Sequence, residues 1–215
     1  LAIGQQLYLG EKLSGESFNF GPMSQYFYTV EDIIRGFTKA IEKNASDALM
    51  YGGWFGYEGC RQAIANRQNR LEGTSLESNN IIMHNGSSGC LENVCKAFIE
   101  AGDVVIVESP SYSGTVRAIR GFQAEVIEVP MDLNGINVAQ FRQTIVKLSE
   151  QGKRIKLFYT IPDYHNPMGN VTTLEIRKAI LEICAKYKIL IAEDAAYTEL
   201  YYDTPPPPSY YALSD

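Results

Sequence analysis

The sequence predicts an α/β fold: a mostly parallel sheet covered by helices on both faces. Three observations lead there. Apolar segments alternate with segments of helical periodicity along most of the chain. The apolar segments, such as "DVVIV" and "ILIA", are continuous runs of Val, Ile and Leu rather than in-and-out alternations, as expected of strands buried on both faces. The segments between them are long enough for crossover helices, and several close on Gly.

The elements follow in order. Residues 1–29, with "FNFGPMSQYFYT", read as an irregular arm. "VEDIIRGFTKAIEKN" (30–44) places apolar residues at 30, 33, 34, 37, 40 and 41, which is helical spacing. "YGGWFGYEG" (51–59) is a glycine-rich loop, and "CRQAIANRQNRL" then reads as a helix. "IIMHN" (81–85) is expected as a strand, followed by a helix over 88–102 closed by Gly102. Strands are expected at 103–109, 124–130, 155–160 and 188–194, and helices after Tyr112 and over 138–152 and 173–187. This divides the chain into an arm and helix (1–44) and one large domain (45–215).

Composition narrows the function. The 215 residues carry a net charge of −6, which argues against a nucleic-acid surface and so against a nucleic-acid partner. No apolar run is long enough to span a membrane, and no basic-then-apolar start suggests a signal peptide, so a cytoplasmic protein without a membrane partner is expected. The four cysteines form no C-x-x-C pair and read as reduced thiols. Two histidines are too few for most zinc sites, and no metal is expected.

In parallel sheets, ligands bind at the carboxyl ends of the strands. After the first expected strand comes "NGSSG" (85–89), opening into a helix. The amides of Ser87 and Ser88 there can hold a phosphate. After "DVVIVES" comes Tyr112, whose ring can stack on a flat ligand. After "IKLFYT" comes "IPDYHNPMGN", where Pro167 restricts Asn166 and presents its amide as a donor. The last strand, "ILIAED", ends on acid. An unpartnered carboxylate there would cost several kcal/mol, so Asp194 needs a cation opposite, and Tyr197, three residues on, shares its face if a helix follows. Taken singly, each feature has an ordinary reading as a capped turn, a rim tyrosine or a Pro-Gly turn. Together they describe a site for a small, flat, phosphorylated ligand with a cationic ring atom. Pyridoxal 5'-phosphate has these properties, and a carboxylate beside its ring nitrogen keeps the ring an electron sink.

"GSSG", "ESPSYSGT", "NPMG" and "EDAAYTEL", in that order, resemble the class I/II aminotransferases of pyridoxal-phosphate fold type I, in particular the α-aminoadipate, kynurenine and multi-substrate group. The resemblance implies transamination between an amino acid and a 2-oxo acid, in a homodimer. It implies that Ser87 and Ser88 bind phosphate, Tyr112 stacks on the ring, and Asn166 and Tyr197 donate to the phenolic oxygen. It places Asp194 at the ring nitrogen and Asn166 also near the substrate carboxylate. Tyr51 corresponds to a tyrosine that reaches the neighbouring subunit's phosphate, and Gly21 to a glycine beside the substrate carboxylate. The family's catalytic lysine lies in S-x-S-K, which no lysine here matches; it is expected beyond Asp215, and this chain by itself is expected to be inactive. The pattern is also compatible with the cofactor-sensing domain of a MocR-type transcription regulator. Another alternative is a fold type I lyase such as an aminocyclopropane-carboxylate synthase.

Overall fold

A computed structural model describes residues 30–214, which fall into two compact units divided between Gly52 and Gly53. The first contains helix α1 (Val30–Leu49), longer than expected, with a kink at Asn44 (φ −157°, ψ 67°). Glu31 and Asp32 sit in its first turn, where the helix dipole favours acid.

The second unit begins with α2 (Glu58–Glu72), closed by Gly73 in the left-handed conformation. Next come α3 (Gly86–Phe98), β1 (Val104–Ser109), α4 (Ser113–Gly121) and β2 (Glu125–Asp132). The hairpin strand β3 (Gly135–Ile136) leads into α5 (Val138–Glu150), β4 (Ile155–Thr160), α6 (Leu174–Tyr187), β5 (Leu190–Glu193) and the short α7 (Tyr210–Leu213). The sheet order is β3-β2-β1-β4-β5. β1 pairs in parallel with both β2 and β4, β4 pairs in parallel with β5, and only β3 is antiparallel. The expected α/β architecture is therefore the observed one.

Strand alternation divides the core into two faces. On one, Val104 and Ile106 of β1 and Phe158 of β4 meet Phe141 and Ile145 of α5 and Ile180 and Ile183 of α6. The rings of Phe141 and Phe158 pack edge to face, with centroids 4.9 Å apart. On the other, Val105, Val107, Leu157 and Tyr159 meet Cys95 of α3 and Ile119 of α4. Helices thus cover both sides, which is why these strands carry continuous apolar runs. The crossovers are capped: the Asn137 side chain accepts from Gln140 N at 2.9 Å, and that of Thr173 from Ile176 N. Asn137→Ala should lower stability by about 1 kcal/mol in urea denaturation while Asn137→Asp keeps it; equal losses would show that the cap is not what is felt.

Two expectations fail. Residues 81–85 form no strand, because among the described residues no neighbouring strand offers them a ladder; the Met83 amide instead donates to the Phe55 carbonyl at 2.9 Å. Helix α3 stops at Phe98 rather than at Gly102. Asp103 Oδ2 accepts from the Glu100 amide at 2.9 Å, an alternative to the next helical turn, and Ile99 turns into the core.

Candidate functional site

β1 runs out to β2 on one side and is flanked by β4 on the other, so the order of the strands switches between β1 and β4. At such a switch point the two following loops diverge and leave a crevice at the carboxyl ends. The β1 loop carries Tyr112 and the β4 loop carries Asn166, each following or joined by a cis X-Pro bond (Ser109–Pro110 and Asn166–Pro167).

The acids that end β5 go to opposite faces, as period-2 alternation requires. Asp194 turns toward the α3/α4 face. Its Oδ2 accepts from the Tyr159 hydroxyl at 2.7 Å, and that hydroxyl accepts from Thr115 Oγ1 at 3.0 Å. Tyr159 is 2% exposed; burial, and then the negative charge of Asp194, push its pKa far up, so it remains a donor. Among the described residues Asp194 Oδ1 makes no hydrogen bond, and the residue is half-buried. Tyr197 packs on the same apolar cluster as Ala192, in a turn rather than a helix, and its hydroxyl is 3.4 Å from Asn166 Nδ2.

Glu193 turns to the other face, into a polar cluster that supports the loops. Its Oε2 accepts from Tyr210 N at 3.0 Å, and its Oε1 lies 3.9 Å from Arg177 Nη1. Burial holds the Glu193 carboxyl at about 7, above its ordinary value. Glu108, 1% exposed near the end of β1, accepts from Thr160 Oγ1 at 2.7 Å and from Ile161 N at 3.0 Å. His165 Nε2 lies 3.1 Å from Glu108 Oε2 without the alignment of a hydrogen bond, and Met168 N donates to Nδ1 at 3.4 Å. Glu108 and His165 thereby brace the loop that presents Asn166.

Helix α3 opens at Gly86, so Ser87 and Ser88 lie in its exposed first turn, and Asn85 makes no side-chain cap there. Its next turn, at Leu91, packs on the same cluster as Tyr197. Tyr112 immediately precedes α4, with its ring folded onto Gly114: a Cβ at Gly114 would lie 2.7 Å from the ring.

Asp194, Tyr197 and Asn166 are thus brought to one edge of the sheet, with Tyr112 and the Ser87–Ser88 turn on elements of the same face. Tyr51 belongs to the first unit, with a fully exposed side chain. Gly21 lies outside the described residues. Sequence reasoning missed Tyr159, Thr115, Glu108 and His165. Glu108 did carry a signal, since it is an acid near the end of an apolar run, like Asp194.

The donor set suits a pyridinium phosphate: a carboxylate with one oxygen held and one open, an amide and a phenol beside it, and uncapped helix amides. A cleft of about 310 Å3 lies elsewhere, at the amino ends of β4 and β5, lined by Lys153, Arg154, Lys156 and Lys188. The residues that line it include no carboxylate to meet a cationic ring atom.

Residues 21–214 match the family described as aminotransferase class I and II, and the chain belongs to it. It is 33% identical over 176 residues to aromatic-amino-acid aminotransferase 1 of Thermococcus litoralis, covering 81% of this chain and 42% of that one. The crystal structure of Pyrococcus horikoshii kynurenine aminotransferase, in complex with PMP and kynurenine, superposes with a TM-score of 0.80 at 30% identity, over 86% of this chain and 46% of that one. An uncharacterized HTH-type transcriptional regulator of Escherichia coli, YjiR, is 28% identical over 180 residues, 83% of this chain and 37% of the regulator. The chain spans less than half the length of these relatives. The fold is that of the fold type I aminotransferases, and no described helix is long and apolar enough to cross a membrane.

Proposed function

We propose that this chain carries the cofactor-holding part of a pyridoxal-phosphate-dependent transaminase acting between an amino acid and a 2-oxo acid in the cytoplasm. The observation that carries the reading is Asp194: half-buried, one oxygen fixed by Tyr159, the other open, beside the Asn166–Tyr197 pair. In this reading Ser87 and Ser88 hold the phosphate and Tyr112 covers the ring. Asn166 and Tyr197 donate to the phenolic oxygen, and Asp194 faces the ring nitrogen. When bound, the cofactor supplies an electron sink that loosens the bonds of the substrate's α-carbon. The residues of this chain orient that ring and keep its nitrogen proton in place. Asn166 also faces the substrate carboxylate. Tyr51 reaches the phosphate of the neighbouring subunit in a homodimer, and Gly21 is the glycine beside the substrate carboxylate.

The test is pyridoxamine phosphate titrated into the chain by calorimetry, since its amine forms no adduct with surface lysines. Saturable 1:1 binding is expected, weakened roughly 10- to 100-fold in Asp194→Ala, as for loss of a charge-assisted hydrogen bond. Equal affinity of the two proteins would overturn the reading.

A second reading, a cofactor-sensing regulator domain, draws on the likeness to the Escherichia coli regulator. "NPMG" and "DAAY" favour the enzyme. Full-length protein loaded with pyridoxamine phosphate and given a 2-oxo acid releases an amino acid if it is an enzyme, and none if it is a sensor.

A further inference from the structure

We propose that Tyr159 is the positioning residue of Asp194, and that Thr115, Tyr159 and Asp194 form a relay which decides which carboxylate oxygen meets the ligand. The inference rests on the reading that Asp194 faces a cationic ring atom. β4 aligns Tyr159 with Val107 of β1 on one side and Ala192 of β5 on the other, so its backbone is fixed between neighbouring strands and its ring stands on one face of the sheet. It shares a face with Leu157 and Ile161, and its hydroxyl reaches the level of the strand ends beneath Asp194.

The direction of the chain of hydrogen bonds is determined. A carboxylate can only accept, so Tyr159 must donate its one proton to Asp194 Oδ2. The phenol oxygen then accepts from Thr115 Oγ1. Thr115 is 4% exposed and lies in the first turn of α4, the helix that Tyr112 precedes. The residue under the carboxylate and the residue over the ring are therefore held by one helix. Two consequences follow. Oδ2 is occupied, so Oδ1 is the oxygen presented to a ligand. The donor also holds the carboxylate in one orientation at the sheet edge.

The measurement compares pyridoxamine phosphate with its 1-deaza analogue, in which the ring nitrogen is replaced by carbon. In the wild-type chain the deaza analogue binds more weakly, since it offers Asp194 no cation. Tyr159→Phe keeps the ring and its packing and removes only the donor. It is expected to weaken pyridoxamine phosphate about tenfold and to leave the deaza analogue within about twofold. Thr115→Val should act in the same direction by roughly threefold, since it perturbs Asp194 only through the phenol.

Equal weakening of both ligands in Tyr159→Phe would mean a merely structural role and overturn the proposal, as would unchanged affinity for pyridoxamine phosphate. If the wild-type chain binds the two ligands equally, the underlying assignment of Asp194 fails, and this proposal with it. That outcome is seen before any variant is made, so the two failures are distinct.

Discussion

Arg177→Met is expected to destabilise the chain by roughly 3–5 kcal/mol in urea denaturation, the range for breaking a buried ion pair from one side. Arg177 is fully buried on α6, and its guanidinium is spent on the loops rather than on the helix. Nε donates to the Thr172 carbonyl at 3.0 Å, and Nη1 to the carbonyls of Pro207 and Pro208 at 3.2 and 3.1 Å. Nη2 pairs with Asp163. One side chain thus ties the loop after β4, which carries Asn166, to the proline segment before α7. Methionine fills similar volume but leaves Asp163 buried with only the Thr198 hydroxyl, at 2.7 Å. The double variant Arg177→Met, Asp163→Leu should be the more stable of the two, because it removes the stranded charge as well. Amide exchange should rise first over residues 206–213, with β1 little changed. A loss below about 1 kcal/mol in the single variant would mean that the proline segment is held by packing instead.

Arg177 also shows where sequence reading stops. On α6 it lies three residues before Ile180 and seven before Cys184, on the apolar stripe. A cation on a buried stripe was a visible signal, but its acceptors are carbonyls of a proline segment 30 residues away, which no local pattern encodes. Strands β1 and β4 were legible because burial on both faces writes a largely apolar run into the chain itself. Residues 81–85 have the same composition, and yet strand status depends on a neighbour to pair with. The β3 hairpin is only two residues long and leaves no period to read. At the site, Asp194 and Asn166 were legible because one follows an apolar strand and the other sits beside Pro, and Tyr197 because it lies three residues after Asp194. Tyr159 was not: inside "IKLFYT" it is one apolar-run residue among others, and only sheet register shows that its hydroxyl ends under Asp194.

Glu193 is expected to make stability fall as pH rises through neutrality. Three charged groups share the α6 face: the guanidinium of Arg177 and the carboxyls of Asp163 and Glu193. Glu72, bound by Ser209, adds a further negative charge. One cation cannot neutralise two buried carboxylates. Asp163 has the direct ion pair, while Glu193 is 3.9 Å from Nη1 and has the Tyr210 amide as its close donor. Burial therefore dominates, and the carboxyl holds its proton up to about 7 in the folded chain. In the unfolded chain it loses the proton near its ordinary value of about 4.3. Between these values the folded state binds more protons, so stability is highest below the unfolded pKa and declines as pH climbs toward 7. The full decline is roughly 4 kcal/mol at most, from the width of that window. Glu193→Gln keeps an acceptor for Tyr210 N and cannot ionise. It should match the wild type near pH 5 and exceed it by roughly 2–3 kcal/mol at pH 8, as read from urea midpoints at constant ionic strength. A difference that stays flat from pH 5 to 8 would place the charge on Glu193 throughout, with Arg177 shared evenly between the two acids. In that case Arg177→Met should be more damaging still, since it would strand two carboxylates in place of one.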